Sequence, residues 1–466
     1  MGGLTADEEA AMRAAADLAV SYRQGLPDRP VPAQSSHDDI IAAFRTPLAD
    51  AGQPAEAVIR ALAETADPGI AGMSSPNFYG YVLGGSMPVG VAADMLVSAW
   101  GQNAGSSVET PAITGMERAV CDWILDLLDL PLDSGVGLVT GATVANTQGV
   151  MAARHALLAR QGWDVEEKGL YGAPEIPVLI GAEAHSAPFA ALRYAGLGAG
   201  RASRVATDDE GRIRPDAFAE ALEATTGPPL AILQAGQINT GAFDPFAELI
   251  PMIHARGGWV HVDGAFGLWL RAVPELQGRL AGVGAADSWA TDLHKWINAP
   301  FDAGAVIVRD RAPLVASMTA RGAYLPDEGA EWIPTDSTLE LSRRARGVPS
   351  YAIFRHLGRS GVREMVARHC RLAAELAREL AREPGLRVLN AVHSNQVALT
   401  CGETDAETDA VLAEVQGRGR VYPTHGEWRG RRIIRCSIIG YATKETHTRL
   451  LADEIRQAWR KVREAA

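Results

Sequence analysis

Short apolar segments alternate with longer amphipathic ones through the middle of the chain, beginning near Gly135. Each apolar segment is rich in Val, Ile and Leu and ends at glycine or polar residues, which is typical of strands buried on both faces. The predicted strands cover residues 136–140, 177–181, 230–234, 259–263 and 303–309. Helices predicted between them indicate an α/β fold whose central sheet is mostly parallel and covered on both sides.

Helical patterns dominate the chain before residue 74. Helices are predicted at residues 10–24, 37–49 and 54–66, with prolines between the first two. We expect residues 1–73 to form a helical arm that packs against the rest of the molecule. A further helix is predicted at residues 88–101, and the pair Thr114 and Glu117 fits a capping box at the start of another helix.

The pattern changes again after residue 348, and a small α+β domain is predicted for residues 349–466. Its predicted elements are a long helix at 349–383, strands at 387–389, 395–400 and 432–438, and helices at 405–416 and 444–463. Residues 74–348 are then expected to form the large domain. Within it, residues 311–347 show little periodicity and are predicted to be an ordered active-site loop.

Composition and charge exclude several classes of protein. The chain has 466 residues, 47% of them hydrophobic and 21% charged, with a net charge of −12, so it lacks a basic surface for nucleic acid. Four cysteines without a Cys-x-x-Cys pair argue against a structural zinc site and against a disulfide framework, and no metal site is expected. Neither a signal peptide nor a membrane span is recognisable, so a cytoplasmic protein is expected.

Lys295 stands in the segment Asp292-Leu293-His294-Lys295-Trp296, between apolar stretches. Buried lysines are rare unless they are paired or used in catalysis, and a lysine amine condenses with a carbonyl group to form a Schiff base. The alternative is a surface lysine whose aliphatic stem packs on Trp296. This segment alone does not decide between the two.

Three other sites follow predicted strands, at the edge where open α/β sheets bind ligands. Small residues from Gly141 to Asn146 form a strand-to-helix turn that suits a phosphate, although an ordinary tight turn is the alternative. His185 could stack on a planar ring or be a hydrogen-bonded core histidine. Asp263 ends an apolar strand and could pair with a pyridinium nitrogen, with the small Ala265 beside the ring, or else cap a helix.

Together, a lysine, an acid, a histidine and a phosphate turn describe a site for pyridoxal 5′-phosphate. The sequence also resembles the group II pyridoxal-dependent amino acid decarboxylases, which include the aromatic amino acid, glutamate, histidine and tyrosine decarboxylases. The resemblance extends from about Ser75 to Thr443. Its motifs are Ser-Pro-Asn-Phe-Tyr-Gly at 75–80, Thr-Pro-Ala-Ile-Thr-Gly-Met-Glu at 110–117, Thr-Gly-Ala-Thr-Val-Ala-Asn at 140–146, His-Ser at 185–186, Asn-Thr-Gly-Ala-Phe-Asp-Pro at 239–245, His-Val-Asp-Gly-Ala-Phe-Gly at 261–267 and Asp-Leu-His-Lys-Trp at 292–296.

The resemblance implies an aminotransferase-like fold of type I and a homodimer with the active site at the subunit interface. It makes Lys295 the Schiff-base lysine, Asp263 the partner of the pyridinium nitrogen and His185 the stacking ring. Near the phosphate it places Ala142, Thr143, Ser288 and His294, and near the ring Asn239 or Gln237. For the substrate it suggests Arg435 as a carboxylate ligand, with Tyr81 and Asn103 on the segments that match the family's pocket.

The reaction depends on a loop after the lysine, where the family usually carries a tyrosine that protonates Cα. Pro334 matches that position here, and Tyr324, the one tyrosine in the loop, matches a different one. Tyr324 is therefore either the proton donor or a packing residue. The first hypothesis is decarboxylation of an L-amino acid to its amine. The alternatives are decarboxylation with oxidative deamination to an aldehyde, a C–C lyase or aminotransferase reaction, and a non-catalytic cofactor-binding protein. An aromatic substrate is hardly favoured over a polar or aliphatic one.

Overall fold

The computed structural model describes residues 3–319 and 333–465. Its helices are α1 (Ala6–Gly25), α2 (His37–Phe44), α3 (Ala55–Ala66), α4 (Pro88–Trp100), α5 (Pro111–Leu127), α6 (Ala142–Ala159), α7 (Val165–Lys168), α8 (Ser186–Tyr194), α9 (Pro215–Glu223), α10 (Phe246–His254), α11 (Arg311–Met318), α12 (Gly347–Leu380), α13 (Asp405–Gly417) and α14 (Glu445–Ala465). Its strands are β1 (Gly135–Val139), β2 (Val178–Gly181), β3 (Ser203–Val205), β4 (Leu230–Gln234), β5 (Trp259–Asp263), β6 (Ser288–Asp292), β7 (Gly304–Val308), β8 (Leu386–Val388), β9 (Gln396–Cys401), β10 (Thr424–Trp428) and β11 (Arg431–Ser437).

The large sheet has seven strands in the order β1-β7-β6-β5-β4-β2-β3. Strands β6, β5, β4, β2 and β3 are parallel, whereas β7 lies antiparallel between β1 and β6. This arrangement confirms the prediction of an α/β fold with a mostly parallel sheet. A second sheet, ordered β10-β11-β9-β8 and antiparallel, lies within residues 349–466. The domain boundaries at 73 and 348 stay predictions.

The two faces of the large sheet are both buried, because alternate residues of each strand contribute to different clusters of the core. In β5, Val260 and Val262 pack in one cluster while Trp259 packs in the other. The same alternation places Ile307 and Val306 of β7 on opposite faces. Continuous apolar strands are therefore required here, and this is the pattern that made the strands recognisable in the sequence.

Helix α5 begins four residues earlier than the predicted capping box allows. Thr110 precedes the helix and Pro111 occupies its first turn, where proline is favoured because its missing N–H would have no partner. Thr114 lies inside the helix, and its hydroxyl donates to the Thr110 and Pro111 carbonyl oxygens. Glu117 is buried and pairs with Arg343. The capping-box prediction was therefore wrong.

Several short elements were missed because their sequences lack a strong pattern. Strand β3 has three residues at the sheet edge, and only the last of them is buried. Strand β10 alternates buried and exposed positions across Thr-His-Gly-Glu-Trp, which carries few apolar residues. Helix α11 lies inside the segment predicted as a loop; Asp310 caps it, and its proline at 313 falls in the first turn, where it is tolerated.

Candidate active site

The carboxyl ends of β1, β2, β4, β5 and β6 meet at one edge of the large sheet, because these strands run in the same direction. A cavity of about 330 Å³ opens at this edge. Its walls are Thr140, Gly141, Ala142, Thr143, Val144, His185, Ala187, Gly236, Ile238, Asp263, Ala265, Phe266, Asp292, His294 and Lys295. Most residues predicted to bind the cofactor therefore line one space, although they come from four separate stretches of chain.

The amino end of α6 forms one wall of this cavity. No group among the described residues accepts a hydrogen bond from the backbone N–H of Thr143 or Val144, which belong to the first turn. The N–H of Ala142 donates to Asp292 Oδ1 at 2.6 Å. Free N–H groups at the amino end of a long helix bind phosphate well, so this turn fits the phosphate of a pyridoxal cofactor.

Lys295 follows the carboxyl end of β6 and is mostly buried, with 16% of its side chain exposed. Its Nζ lies 3.2 Å from Asp292 Oδ2. The next residue, Trp296, is fully buried, and its indole N–H donates to His369 Nδ1 at 3.0 Å. His369 in turn donates from Nε2 to the carbonyl oxygen of Gly440 at 3.0 Å. The lysine segment is thus fixed to α12 and to the chain after β11, which argues against a surface lysine.

Glycine at position 84 allows the chain to pass close to the lysine backbone. A Cβ atom built at Gly84 would lie 1.9 Å from the carbonyl oxygen of Lys295. Any side chain at this position would displace one of the two segments. The loop before α4 therefore helps to hold Lys295 in place.

Asp263 and His185 face the same cavity from β5 and from the start of α8. Asp263 is 6% exposed, and its Oδ1 accepts the N–H of Ala265 at 3.3 Å. His185 Nδ1 accepts the N–H of Ala187 at 3.2 Å. Burial lowers the pKa of His185, with Lys295 acting in the same direction and Asp263 against it. A neutral, flat imidazole beside a carboxylate is suited to a heteroaromatic ring that carries a protonated nitrogen.

His294 lies next to the cradle formed by α6. Its Nδ1 accepts the N–H of Ala303 at 3.3 Å, and its ring packs against Phe301 at 4.5 Å between centroids. Burial lowers the pKa of His294, although Asp292 opposes this effect. With Nδ1 occupied as an acceptor, the proton of the neutral ring is on Nε2, which is directed towards Asp292 Oδ1 at 3.6 Å.

Asn146 and Ser288 lie away from the cavity, contrary to the expectation that they contact the cofactor. Ser288 begins β6, whereas the cavity is at the other end of that strand, about 13 Å away. Both residues instead bind His261, whose Nδ1 and Nε2 lie 2.8 Å from Ser288 Oγ and Asn146 Oδ1. Ser288 also accepts the indole N–H of Trp259. These two residues therefore stabilise a buried histidine whose pKa is lowered to about 3 by desolvation.

The predicted substrate residues Arg435, Tyr81 and Asn103 lie outside the cavity lining. Asn239, which was predicted to lie near the cofactor ring, is also outside it. Asn239 donates from Nδ2 to the Glu427 carbonyl oxygen at 3.1 Å and accepts from Arg435 Nη1 at 3.5 Å. Tyr81 is 47% exposed and has a left-handed backbone conformation, with φ of 55°. Asn103 Oδ1 accepts the backbone N–H of Arg343 at 2.9 Å. Tyr324 lies outside the described residues.

The sequence did not single out Asp292, although it belongs to the lysine motif and ends β6. Its carboxylate contacts both the cradle and the lysine. The position at a strand end was a usable signal, as it was for Asp263. The sequence also did not reveal five further residues of the cavity wall, because their side chains carry no distinctive chemistry. These residues are Thr140, Ala187, Gly236, Ile238 and Phe266.

The fold and the site define an enzyme of the pyridoxal phosphate-dependent class. The family model described as the pyridoxal-dependent decarboxylase conserved domain matches residues 39–401, so the chain belongs to this family. It is a pyridoxal phosphate-dependent amino acid decarboxylase. Within the described residues, no group of three or more His, Cys, Asp or Glu side chains is arranged to hold a metal ion.

Relatives agree with this assignment over nearly the whole chain. The aromatic-L-amino-acid decarboxylase of Sus scrofa is 26% identical, covering 94% of this chain and 93% of the relative. Phenylacetaldehyde synthase of Arabidopsis thaliana is 27% identical, covering 86% and 83%. The crystal structure of Oryza sativa TDC with PLP and tryptamine has a TM-score of 0.91 at 22% identity, covering 99% of both chains, which shows a shared fold.

Proposed function

We propose that the enzyme decarboxylates an L-amino acid to its amine in this cavity. The cofactor site is formed by Lys295, Asp263, His185 and the first turn of α6. The observation that carries the proposal is their convergence: an amine, a carboxylate, a flat neutral ring and free backbone N–H groups line one space of about 330 Å³. No single one of these features is specific, but a pyridoxal cofactor uses all of them.

When bound, pyridoxal phosphate accepts the electron pair that is released as the bond between Cα and the substrate carboxylate breaks. Asp263 supplies the negative charge that favours a proton on the ring nitrogen. His185 covers the ring and excludes water from one side of the cavity. Lys295 provides the amine that holds the cofactor covalently, and the substrate amine replaces it.

Arg435 is the residue proposed to bind the substrate carboxylate. It is 8% exposed, and within the described residues its one side-chain hydrogen bond, to Asn239, is long at 3.5 Å, while its Nε has no hydrogen-bond partner. Burial lowers the pKa of this guanidinium, which nevertheless stays charged. A buried cation without a carboxylate partner gains most from an anionic ligand. Tyr81 adjoins this cation and is proposed to contact the substrate side chain.

A second candidate function is decarboxylation with oxidative deamination. In that reaction the amino acid, dioxygen and water give an aldehyde, carbon dioxide, ammonia and hydrogen peroxide. Two observations favour it: Pro334, whose side chain has no ionisable proton to donate, is buried at the position where the family usually has tyrosine, and one relative is a phenylacetaldehyde synthase. The names of the relatives support an aromatic substrate for either reaction.

A homodimer is proposed as the active assembly. Exposed apolar side chains cluster on α4, where Met95, Leu96 and Trp100 are each more than 40% exposed. Further exposed apolar residues, Val58 and Leu62, lie on α3. Patches of this kind mark protein interfaces. Light scattering coupled to size-exclusion chromatography tests the proposal, and a monomer at micromolar concentration would contradict it.

A cytoplasmic location is part of the same proposal. None of the helices in the described residues is both long enough and apolar enough to span a membrane. The four cysteines are buried and free, which suits a reducing compartment. Fractionation of cells that express the tagged full chain tests the location.

Absorbance spectroscopy tests the cofactor site directly. The purified protein is expected to show a visible band that disappears on borohydride reduction, and Lys295→Ala is expected to lose the covalent bond. A protein whose spectrum does not change with borohydride would exclude Lys295 as the attachment site. Incubation with a panel of amino acids then separates the two reactions: amine without oxygen uptake supports decarboxylation, whereas aldehyde with peroxide supports the second candidate.

A further inference from the structure

The phosphate cradle of this chain already contains a negative charge. Asp292 Oδ1 accepts the Ala142 N–H at 2.6 Å, so the carboxylate is bound to the same helix end that fits the phosphate. The side chain is only 3% exposed and lines the cavity. A carboxylate at a helix amino end stabilises that end, but it also repels a second anion that binds there.

Close packing fixes the carboxylate in this place. Cβ atoms built at Gly141 and Gly304 would lie 3.2 Å and 3.1 Å from Asp292 Oδ1, so both glycines leave room for it. On the other side, Oδ2 is held by Lys295 Nζ at 3.2 Å. The carboxylate therefore has little freedom to turn away when an anion enters the cradle.

Lys295 is the cation that faces this carboxylate, and attachment of the cofactor would replace its compact ammonium by a Schiff-base nitrogen whose charge is shared with the cofactor ring. His294 does not replace it, because burial lowers the pKa of that ring and favours its neutral form. Among the described residues, no other Lys or Arg forms an ion pair with Asp292. With the cofactor attached, the carboxylate and the phosphate would share one helix end, and the carboxylate would no longer face a localised ammonium.

We propose that Asp292 weakens the hold of the cradle on the cofactor phosphate and so keeps the cofactor exchangeable. This inference rests on the proposed role of the first turn of α6. At a separation of a few ångströms, removal of one buried charge is expected to change phosphate affinity by about tenfold or more. The effect is specific to ligands that carry a phosphate.

Asp292→Asn tests the proposal, because an amide keeps one oxygen for the Ala142 N–H and removes the charge, while the loss of the contact to Lys295 affects both ligands alike. Cofactor-free protein is titrated with pyridoxal 5′-phosphate and with pyridoxal, and binding is followed by absorbance. Both ligands react with Lys295, so the ratio of their dissociation constants isolates the phosphate. We expect the variant to raise the preference for the phosphorylated ligand about tenfold, and to bind inorganic phosphate more tightly in calorimetry.

Asp302→Asn is the matched control, because it removes a carboxylate near His294 that is 47% exposed and pairs with Arg346 instead. This control is expected to prefer pyridoxal 5′-phosphate over pyridoxal by the same factor as the wild type. The inference is overturned if Asp292→Asn unfolds at the same temperature as the wild type and its preference for pyridoxal 5′-phosphate over pyridoxal is unchanged or lower. If that variant unfolds, Asp292→Ser provides the same comparison. A wild-type protein that binds both ligands equally overturns the proposed cradle itself, which is a different outcome.

Discussion

Arg343 and Glu117 form an ion pair that is almost completely buried, with Nη1 and Oε1 2.7 Å apart. The same guanidinium donates from Nη1 to the carbonyl oxygen of Ala104 and from Nη2 to that of Leu138. One side chain thus connects α5, the turn after α4 and the last residues of β1, immediately before the phosphate cradle. Desolvation raises the pKa of Glu117, and Arg343 opposes this effect.

Removing one member of this pair should strongly destabilise the protein. Arg343→Met leaves the Glu117 carboxylate buried without its cation and leaves two carbonyl oxygens without a donor. We expect the free energy of unfolding to fall by roughly 3–5 kcal/mol, measured by urea denaturation. Arg359→Met is the control, since that arginine pairs with Asp126 at the surface and should cost less than about 1 kcal/mol. Equal losses in the two variants would contradict this prediction.

Gly84→Ala should impair catalysis without contacting the substrate. The added methyl group would collide with the Lys295 carbonyl oxygen, so the lysine segment must move. A displacement of about 1 Å in a reacting group is expected to lower kcat by roughly a hundredfold. Steady-state kinetics and the cofactor absorbance band provide the measurement. Gly115→Ala in α5 has open space around it and should leave kcat unchanged.

Asp263→Asn should lower kcat far more than it changes KM, because the carboxylate acts on the ring nitrogen and not on substrate binding. An amide oxygen can still accept the Ala265 N–H, so the fold is expected to persist. We expect a loss in kcat of about a hundredfold or more, with a wild-type thermal unfolding curve. A variant with normal kcat would remove Asp263 from the mechanism.

Stability should rise with pH between about 4 and 6.5. Burial lowers the pKa of both His261 and His369 to about 3, whereas burial raises that of Asp244 to about 7. In this window these three groups together take up a net one proton on unfolding, because the two histidines bind protons and the aspartate releases one. They should therefore raise the free energy of unfolding by about 1.4 kcal/mol per pH unit. His185 and His294, whose pKa burial also lowers, act in the same direction.

Urea denaturation at pH 4.5 and 6 measures this slope. In Asp244→Asn the released proton is absent, so unfolding takes up one proton more and the slope should be steeper by about 1.4 kcal/mol per pH unit. The variant is also expected to be less stable overall, because Asp244 accepts the N–H groups of Ile213 and Gln234 through different oxygens. An identical slope in the two proteins would show that Asp244 does not titrate in this range.

The sequence was most informative where burial imposes a pattern. Strands β4 and β5 were predicted to the residue, since two buried faces require continuous apolar runs. The edge strands β3 and β10 were not, because edge positions accept almost any residue. In the site, Asp263 and His185 were found because one ends a predicted strand and the other follows one, whereas Lys295 was found as a lysine between apolar stretches. Ser288 was misplaced because its matching motif position did not reveal which end of β6 faces the cavity.

The antiparallel direction of β7 has a consequence for how chains with this architecture vary in length. Strands β6 and β7 are paired from Asp292 and Gly304 outward, so the connection that carries Lys295 is tied at both ends. An insertion in this connection would move the reactive amine directly. By contrast, the crossover from β3 to β4 contains α9 and no residue of the cavity wall, so it can absorb extra residues. Length differences should therefore accumulate in that crossover and be absent between β6 and β7.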